Sequence, residues 1–139
     1  MRLNLWRASL NMARDHPWIG VGLDNFLYQY RGRYIFDAAW REPNLNHPHN
    51  IFLDFATRLG LPGLLAGGLL FFAFARLLLA HLRHGVARPW LPVLLGIYAA
   101  LAYSLAHGLV DHSFFLTDLA AACYFLLALA AALPAGERT

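Results

Sequence analysis

The apolar positions of the chain follow different patterns before and after residue 60. Beyond it, three stretches are almost continuously apolar: residues 61–80, 90–110 and 114–133. Each approaches the roughly 20 residues that cross a hydrocarbon core about 30 Å thick. The pattern therefore predicts three transmembrane helices within residues 61–139.

In residues 1–60, by contrast, apolar and polar side chains recur at helical spacing. A first helix, which should end before Pro17, has one apolar stripe. Its members are Leu3, Trp6, Leu10 and Ala13. A second helix is predicted over residues 25–34 with Asp24 as its cap, and residues 35–46 show no period and are expected to form a loop. The pattern predicts an amphipathic helical region rather than strands.

The segment from His47 to Gly60 predicts a third amphipathic helix. A residue before proline avoids helical dihedrals and proline suits the first helical position, so His47 is the expected cap and Pro48 the start. Asn50, Asp54 and Arg58 would then form a polar side opposite an apolar stripe, with Asp54 paired to Arg58. Gly60 should end this helix and Pro62 begin the next. We expect the helix to lie at the membrane interface with His49 on its wet side.

Composition agrees with membrane residence, gives no support for nucleic acid binding and excludes a disulfide within the chain. Of 139 residues, 59% are hydrophobic, and the mean hydropathy is +0.45, which is high for a soluble domain. The net charge is +3, and the eleven arginines form no dense run, so no nucleic acid partner is expected. Cys123 is the only cysteine, which excludes a disulfide within the chain.

Loop charges predict the orientation of the spans. Residues 81–89 contain Arg83 and Arg88, whereas residues 111–113 contain no arginine, so the positive-inside rule places the first of these loops in the cytoplasm. Residues 1–60 then lie outside. Because a head with seven arginines and no signal peptide is hard to translocate alone, we expect the chain to be part of a longer membrane protein with upstream helices.

Three motifs in order resemble one family. His49-Asn50 is followed by nine residues and then by Gly60-Leu61-Pro62-Gly63; before it, an arginine precedes a tryptophan by four positions and a P-x-x-G-x-G turn follows; after it comes "GLVDHSF" at 108–114. This set resembles the bacterial O-antigen ligases and the related O-antigen and exopolysaccharide polymerases. The residues that match the first two motifs are Arg2, Trp6, Pro17, Gly20, Gly22, His49, Asn50, Gly60 and Gly63.

The resemblance implies an all-α integral membrane protein of the bacterial inner membrane, multi-pass, with its active face in the periplasm. The chain would be a fragment of a C-type glycosyltransferase-like helical bundle, with residues 1–60 as an amphipathic helical periplasmic loop. It implies a metal-independent enzyme without cofactor. Such an enzyme transfers a glycan from undecaprenyl pyrophosphate to a hydroxyl of lipid A-core or another glycan acceptor, among membrane lipids.

The chemistry of that reaction suits particular side chains. Imidazole has a near-neutral pKa suited to removing a hydroxyl proton, so His49 is the candidate catalytic base. Guanidinium binds a departing pyrophosphate with a permanent charge, so Arg2 is the first candidate for substrate binding, with Asn50 and Arg7 as further candidates. The structural alternatives are a helix-capping histidine and arginines that face solvent or lipid headgroups.

A second polar group lies at the outer ends of the last two spans. It consists of His107, Asp111, His112 and Asp118. The first three could bind zinc, but no metal motif supports this, so we predict that the group forms a hydrogen-bonded lining of the same outer cavity and binds no metal. The sequence leaves open a polymerase of the same family and a non-enzymatic membrane transport module, which would not depend on His49 or Arg2.

Overall fold

The computed structural model describes residues 2–111 and 114–134, and within these ranges the chain is helical with no strand. Four helices are longer than one turn: α1 (Arg2–Asp15), α3 (Ile51–His84), α4 (Leu91–Gly108) and α5 (Thr117–Ala132), and α2 (Phe26–Gln29) continues as a π-helical turn, Tyr30–Tyr34. Short 3-10 turns span Asp37–Ala39 and Arg88–Trp90. The described residues divide into two compact units, of which the first comprises 2–68 and 107–111 and the second 69–106 and 114–134.

Helix α1 ends before Pro17 as predicted, but it buries a different stripe. Leu3 and Leu10 are 69% and 42% exposed. The core of the first unit is made of Leu5, Ala8 and Met12 from α1 with Phe26, Tyr30 and Tyr34. The spacing of Leu5, Ala8 and Met12 is equally helical, and the small Ala8 side chain, which is fully buried, allows close packing. Both stripes have helical spacing and each contains one alanine, so the choice depends on tertiary packing, which buries the stripe that meets Phe26, Tyr30 and Tyr34.

The second predicted helix is present, but it changes to a π-helical turn after Gln29 and lacks the predicted cap. Asn25 rather than Asp24 precedes the helix, and its side chain makes no capping bond. Its Nδ2 donates to the carbonyl of Val21 instead, at 2.9 Å. The π-helical turn that follows places the Tyr34 hydroxyl 2.7 Å from Asp15 Oδ2, which it donates to. This bond holds the turn against the last residue of α1.

Helix α3 begins three residues later than predicted. Its cap is Asn50, whose Oδ1 accepts from the backbone N–H groups of Phe52 and Leu53 at 3.1 Å each. The prediction of His47 as the cap and Pro48 as the start was wrong, because an asparagine three positions after His47 satisfies the orphan N–H groups better. The prediction for Gly60 is confirmed: its φ of 70° and ψ of −168° break the helix before Pro62.

Two residues of the predicted polar side, Asp54 and Arg58, face the core rather than water, whereas the position of the helix relative to a membrane stays a prediction. Asp54 is fully buried, and Arg58 is 8% exposed, whereas Phe52 is 52% exposed. Arg58 Nε donates to Asp54 Oδ1 at 2.6 Å. Its guanidinium also donates to the carbonyls of Leu23 and Asn46. The predicted Asp54–Arg58 pair is therefore present, but as a buried link between the helix and two loops.

The turn at residues 17–22, here called the docked turn, lies against the break in α3. Val21 N and Gly22 N donate to carbonyls of the last helical turn before the break, at 2.7 and 3.1 Å, and Leu61 N donates back to Pro17 O at 2.7 Å. A Cβ on Gly20 would lie 2.5 Å from the Arg58 carbonyl carbon. Glycine is needed here both for its positive φ, 64°, and for this close approach.

The second unit packs three helical segments around its own apolar core. The core residues are Phe74, Leu78, Leu94, Ile97, Leu101, Ala130 and Leu133. Two stretches, Ile51–His84 and Arg88–Gly108, are long and apolar enough to cross a membrane. The third predicted span, 114–133, is helical only over the 16 residues of α5, below the ~20 that a span needs. Its crossing of the membrane stays a prediction.

Candidate functional site

The segment His47 to Asn50 is fixed from both sides within the first unit. Trp6 Nε1, on α1, donates to the carbonyl of Pro48 at 3.0 Å. Asn50 Nδ2 donates to the carbonyl of Leu109 at 3.1 Å, while its Oδ1 caps α3. The tryptophan and asparagine of the sequence motifs thus both position the backbone around the two histidines.

His49 has a backbone conformation that is unfavourable for its residue type. Its φ is 51°, and it is the one non-glycine residue with positive φ in the described chain. A left-handed conformation costs an L-residue roughly 1–2 kcal/mol. Strain of this kind persists only where surrounding contacts hold it, and it is concentrated at functional sites.

The strained backbone brings His49 into contact with His47 and Asp111, here called the His–Asp cluster. His49 Nδ1 lies 2.9 Å from Asp111 Oδ1. His47 Nε2 lies 3.1 Å from His49 Nδ1 and 3.4 Å from the same carboxylate oxygen. The side chains are 25%, 17% and 40% exposed for His49, His47 and Asp111. The cluster is therefore partly buried yet reachable from solvent.

Two further side chains flank the cluster. His47 Nδ1 lies 2.6 Å from Asn46 Oδ1; because an amide oxygen only accepts, this nitrogen carries a proton. His107 Nε2 approaches the other oxygen of Asp111 at 3.9 Å. The carboxylate is thus approached by imidazole groups on both of its oxygens.

A cleft of about 200 Å³ adjoins the cluster. Its lining residues come from α1, the 35–46 loop and the histidine segment: Arg2, Leu5, Glu42, Leu45 and His49. Arg2 is exposed, so its guanidinium can meet a ligand from solvent. The cleft is smaller than the 300 Å³ or more of typical ligand pockets, and it suits a phosphate group or one sugar ring rather than a whole glycan.

The structure brings two of the four predicted site residues together in one cleft. Arg2 and His49, 47 positions apart, line the same cleft. Arg7 is exposed on α1 and is not part of this lining, and Asn50 uses its amide as a cap and a tie to Leu109. Substrate binding by Arg7 and Asn50 stays a prediction without a geometric argument.

Sequence reasoning missed the roles of three residues. Asp111 was assigned to a separate polar group that lines the outer cavity, and only the fold shows that it lies within 2.9 Å of His49. Glu42 and Asn46 lie in the 35–46 loop, whose sequence showed no periodic signal. The zinc set considered from sequence also changes, because His47 and His49 join Asp111, and His112 lies outside the described residues.

Burial and charge also act on a tyrosine in the core of this unit. Burial raises the pKa of Tyr30, and the negative charge of Glu42 raises it further. Tyr30 therefore stays neutral and serves as a packing residue, stacked 5.9 Å from Phe26.

Comparison with known protein families gives one match. The family model described as O-antigen ligase matches residues 1–67. No curated protein matches the chain at the significance required. The family match covers the docked turn, the histidine segment and the break in α3, and it confirms the resemblance predicted from the first two motifs. Asp111 and the "GLVDHSF" motif lie beyond the matched residues.

Proposed function

We propose that this chain, whose residues 1–67 carry the O-antigen ligase family domain, contributes the reacting site of a membrane glycosyltransferase. The family gives the general class, a glycosyltransferase-like enzyme associated with a membrane. The specific reaction that we propose is transfer of a glycan from undecaprenyl pyrophosphate to a sugar hydroxyl of lipid A-core or another glycan acceptor.

One observation carries the proposal: His49 and Arg2 line one cleft, and His49 also contacts a carboxylate. When the Asp111 carboxylate accepts a hydrogen bond from His49 Nδ1, the proton of a neutral ring is held there. The Nε2 lone pair is then available to accept a proton. This is the arrangement in which a carboxylate orients a histidine base in other enzymes.

The proposed step balances in protons and charge. The acceptor hydroxyl oxygen forms a bond to the anomeric carbon of the donor sugar, while the bond from that carbon to the pyrophosphate oxygen breaks. His49 Nε2 takes the hydroxyl proton, and the bonding electron pair leaves with the lipid pyrophosphate. The step needs no metal ion, because the guanidinium of Arg2 stabilises the departing charge.

Glu42 gives the cleft a negative group beside this positive one. A carboxylate accepts hydrogen bonds from sugar hydroxyls, so we assign Glu42 to sugar binding and Arg2 to the pyrophosphate. The small volume supports binding of the reacting groups alone, with the lipid and the rest of the glycan outside the cleft.

The helical part of the chain supports a membrane location. In the two candidate spans only 17% of the apolar window is buried inside the protein, unlike the core helix of a soluble protein. Exposed side chains there include Leu65, Leu69, Phe72, Leu95 and Tyr103. We propose a multi-pass inner-membrane protein with residues 81–89 in the cytoplasm and the cleft on the periplasmic side.

The test is a transfer assay with the full-length protein reconstituted in lipid vesicles with undecaprenyl-pyrophosphate-linked glycan and lipid A-core. We expect glycan on lipid A-core. Arg2→Lys should lower the rate at least tenfold, because an ammonium group cannot form the bidentate fork. Arg14→Lys, an exposed arginine at the end of α1, is the matched control and should retain full activity.

Other products would decide between the alternatives. Elongated glycan on undecaprenyl pyrophosphate, with none on lipid A-core, would replace ligation by polymerisation in the same family. No glycosidic product with either acceptor would overturn the enzymatic proposal and favour a transport module. Equal activity of Arg2→Lys and the control would remove Arg2 from pyrophosphate binding.

A further inference from the structure

Three potential metal-ligand atoms of the His–Asp cluster lie close together. The atoms are His47 Nε2, His49 Nδ1 and Asp111 Oδ1, separated by 3.1, 2.9 and 3.4 Å. All three residues are of types that bind transition metals, and each offers one atom to the same space.

The triangle has the size of one face of a zinc tetrahedron. A circle through the three atoms has a radius of about 1.8 Å, so an ion about 1 Å off their plane would be about 2.1 Å from each. Zinc binds imidazole nitrogen and carboxylate oxygen at roughly this distance, and three protein ligands leave its fourth position for water. The atoms would need no rearrangement beyond a few tenths of an ångström.

The proton arrangement also favours a cation. Asn46 Oδ1 keeps the proton of a neutral His47 on Nδ1, which leaves Nε2 with a lone pair directed to the cluster. Asp111 Oδ1 is likewise an acceptor, 3.4 Å away. When both imidazoles are neutral, His49 Nδ1 can place one proton between these two acceptors, whereas a divalent ion would bond to all three atoms.

Neighbouring contacts match those that support metal ligands. Metal-binding histidines commonly donate their second ring N–H to an oxygen acceptor, which fixes the tautomer. For His47 that acceptor is Asn46 Oδ1. His107 approaches the second oxygen of the Asp111 carboxylate at 3.9 Å. Exposures between 17% and 40% leave a path for the ion.

We propose that His47, His49 and Asp111 form a binding site for a divalent transition metal ion, best suited to Zn²⁺. Its effect on transfer rests on the proposed function. An ion on His49 Nδ1 displaces that proton, and the neutral ring then carries its proton on Nε2. His49 can no longer accept the hydroxyl proton, so the bound ion inhibits an enzyme whose reaction itself needs no metal.

The binding test is independent of activity. The full-length protein, purified in detergent and stripped of metal, is titrated with Co²⁺, whose visible absorption reports tetrahedral nitrogen and oxygen ligands. We expect one saturable site, with at least tenfold weaker binding in both His47→Ala and Asp111→Asn. His81→Ala is the matched control, because His81 contacts the Ala130 carbonyl in the second unit; it should bind Co²⁺ as the unmodified protein does.

A second measurement separates ligand loss from misfolding. Zn²⁺ should raise the melting temperature of the unmodified protein and of His81→Ala but not that of His47→Ala. Absence of a saturable tetrahedral site, or equal Co²⁺ binding in His47→Ala and the control, would overturn the metal site.

The activity arm distinguishes the two proposals. Zn²⁺ should abolish glycan transfer, and a chelator should restore it. If Co²⁺ binds as expected but Zn²⁺ leaves transfer unchanged, the metal site stands and His49 is not the base. If no metal binds while transfer still requires His49, the proposed function stands and the metal site is wrong.

Discussion

Replacing Gly20 by alanine should break the contact between the docked turn and α3 and destabilise the protein. The new Cβ would lie 2.5 Å from the Arg58 carbonyl carbon and 2.6 Å from Leu59 N. Both are backbone atoms, which cannot move aside as a flexible side chain can. The turn must therefore move away, and the hydrogen bonds from Val21 N and Gly22 N to α3 are weakened or lost.

The expected loss of stability has two parts. The positive φ of Gly20, 64°, costs alanine roughly 1–2 kcal/mol. Two backbone hydrogen bonds contribute about 0.5–1.5 kcal/mol each. Gly20→Ala should thus lower the free energy of unfolding by about 2–5 kcal/mol.

Two other glycines provide matched controls. Gly85 has φ of 81° but nothing within 4 Å of its Cβ position, so Gly85→Ala measures the dihedral cost alone. Gly32, in the π-helical turn, has neither a positive φ nor a close neighbour, and Gly32→Ala should be neutral or slightly stabilising. Equilibrium unfolding of the full-length protein in mixed micelles gives the three values. Equal losses for Gly20→Ala and Gly85→Ala would refute the close approach as the reason for Gly20.

Three further predictions concern the first unit. Arg58→Ala should cost about 3–5 kcal/mol in the same unfolding assay, because it breaks the buried ion pair with Asp54, whereas Arg33→Ala breaks an exposed pair and should cost less than about 1 kcal/mol. Burial, with the hydrogen bond to Asp15 and its charge, raises the pKa of Tyr34 above its ordinary value. The neutral tyrosine stabilises the fold at pH values below the ordinary pKa of tyrosine, and this stabilisation should be lost as the pH rises through the raised pKa. Tyr34→Phe should not show this alkaline loss of unfolding free energy; the same loss in Tyr34→Phe as in the unmodified protein would contradict the assignment. Asp111→Asn should slow glycan transfer by about 10²–10⁴-fold, while Asp118→Asn, an exposed residue of α5, should not; equal rates would remove Asp111 from the site.

Local signals predicted the boundaries of the fold better than its faces. Pro17 and Gly60 act on their own backbone, so the end of α1 and the break in α3 were predicted correctly. The buried stripe of α1 depends on which partner it meets, and two stripes had the required spacing. Asp54 and Arg58 were expected on the wet side because they are charged, but as a pair bonded to two loop carbonyls they are buried.

The candidate site shows the same limit. Composition and motif spacing singled out Arg2 and His49, since the chemistry of the implied reaction asks for those residue types. The sequence predicted that Asp111 lines the outer cavity, but not that it would contact His49, 62 positions before it. That contact depends on the tie from Asn50 to the Leu109 carbonyl, and pairing over such a distance leaves no local signal in a single sequence.

The central claim is that His49 itself removes the acceptor proton, and comparing initial rates of glycan transfer in His49→Ala and His47→Ala tests it most directly. Both residues belong to the same turn and the same cluster, but His49 alone of the two lines the cleft with Arg2. Loss of a general base costs about 10²–10⁴ in rate, so His49→Ala should fall by that factor, with normal expression and membrane insertion, while His47→Ala stays within about tenfold of the unmodified protein. Equal losses in the two variants, or full activity of His49→Ala, would contradict the account.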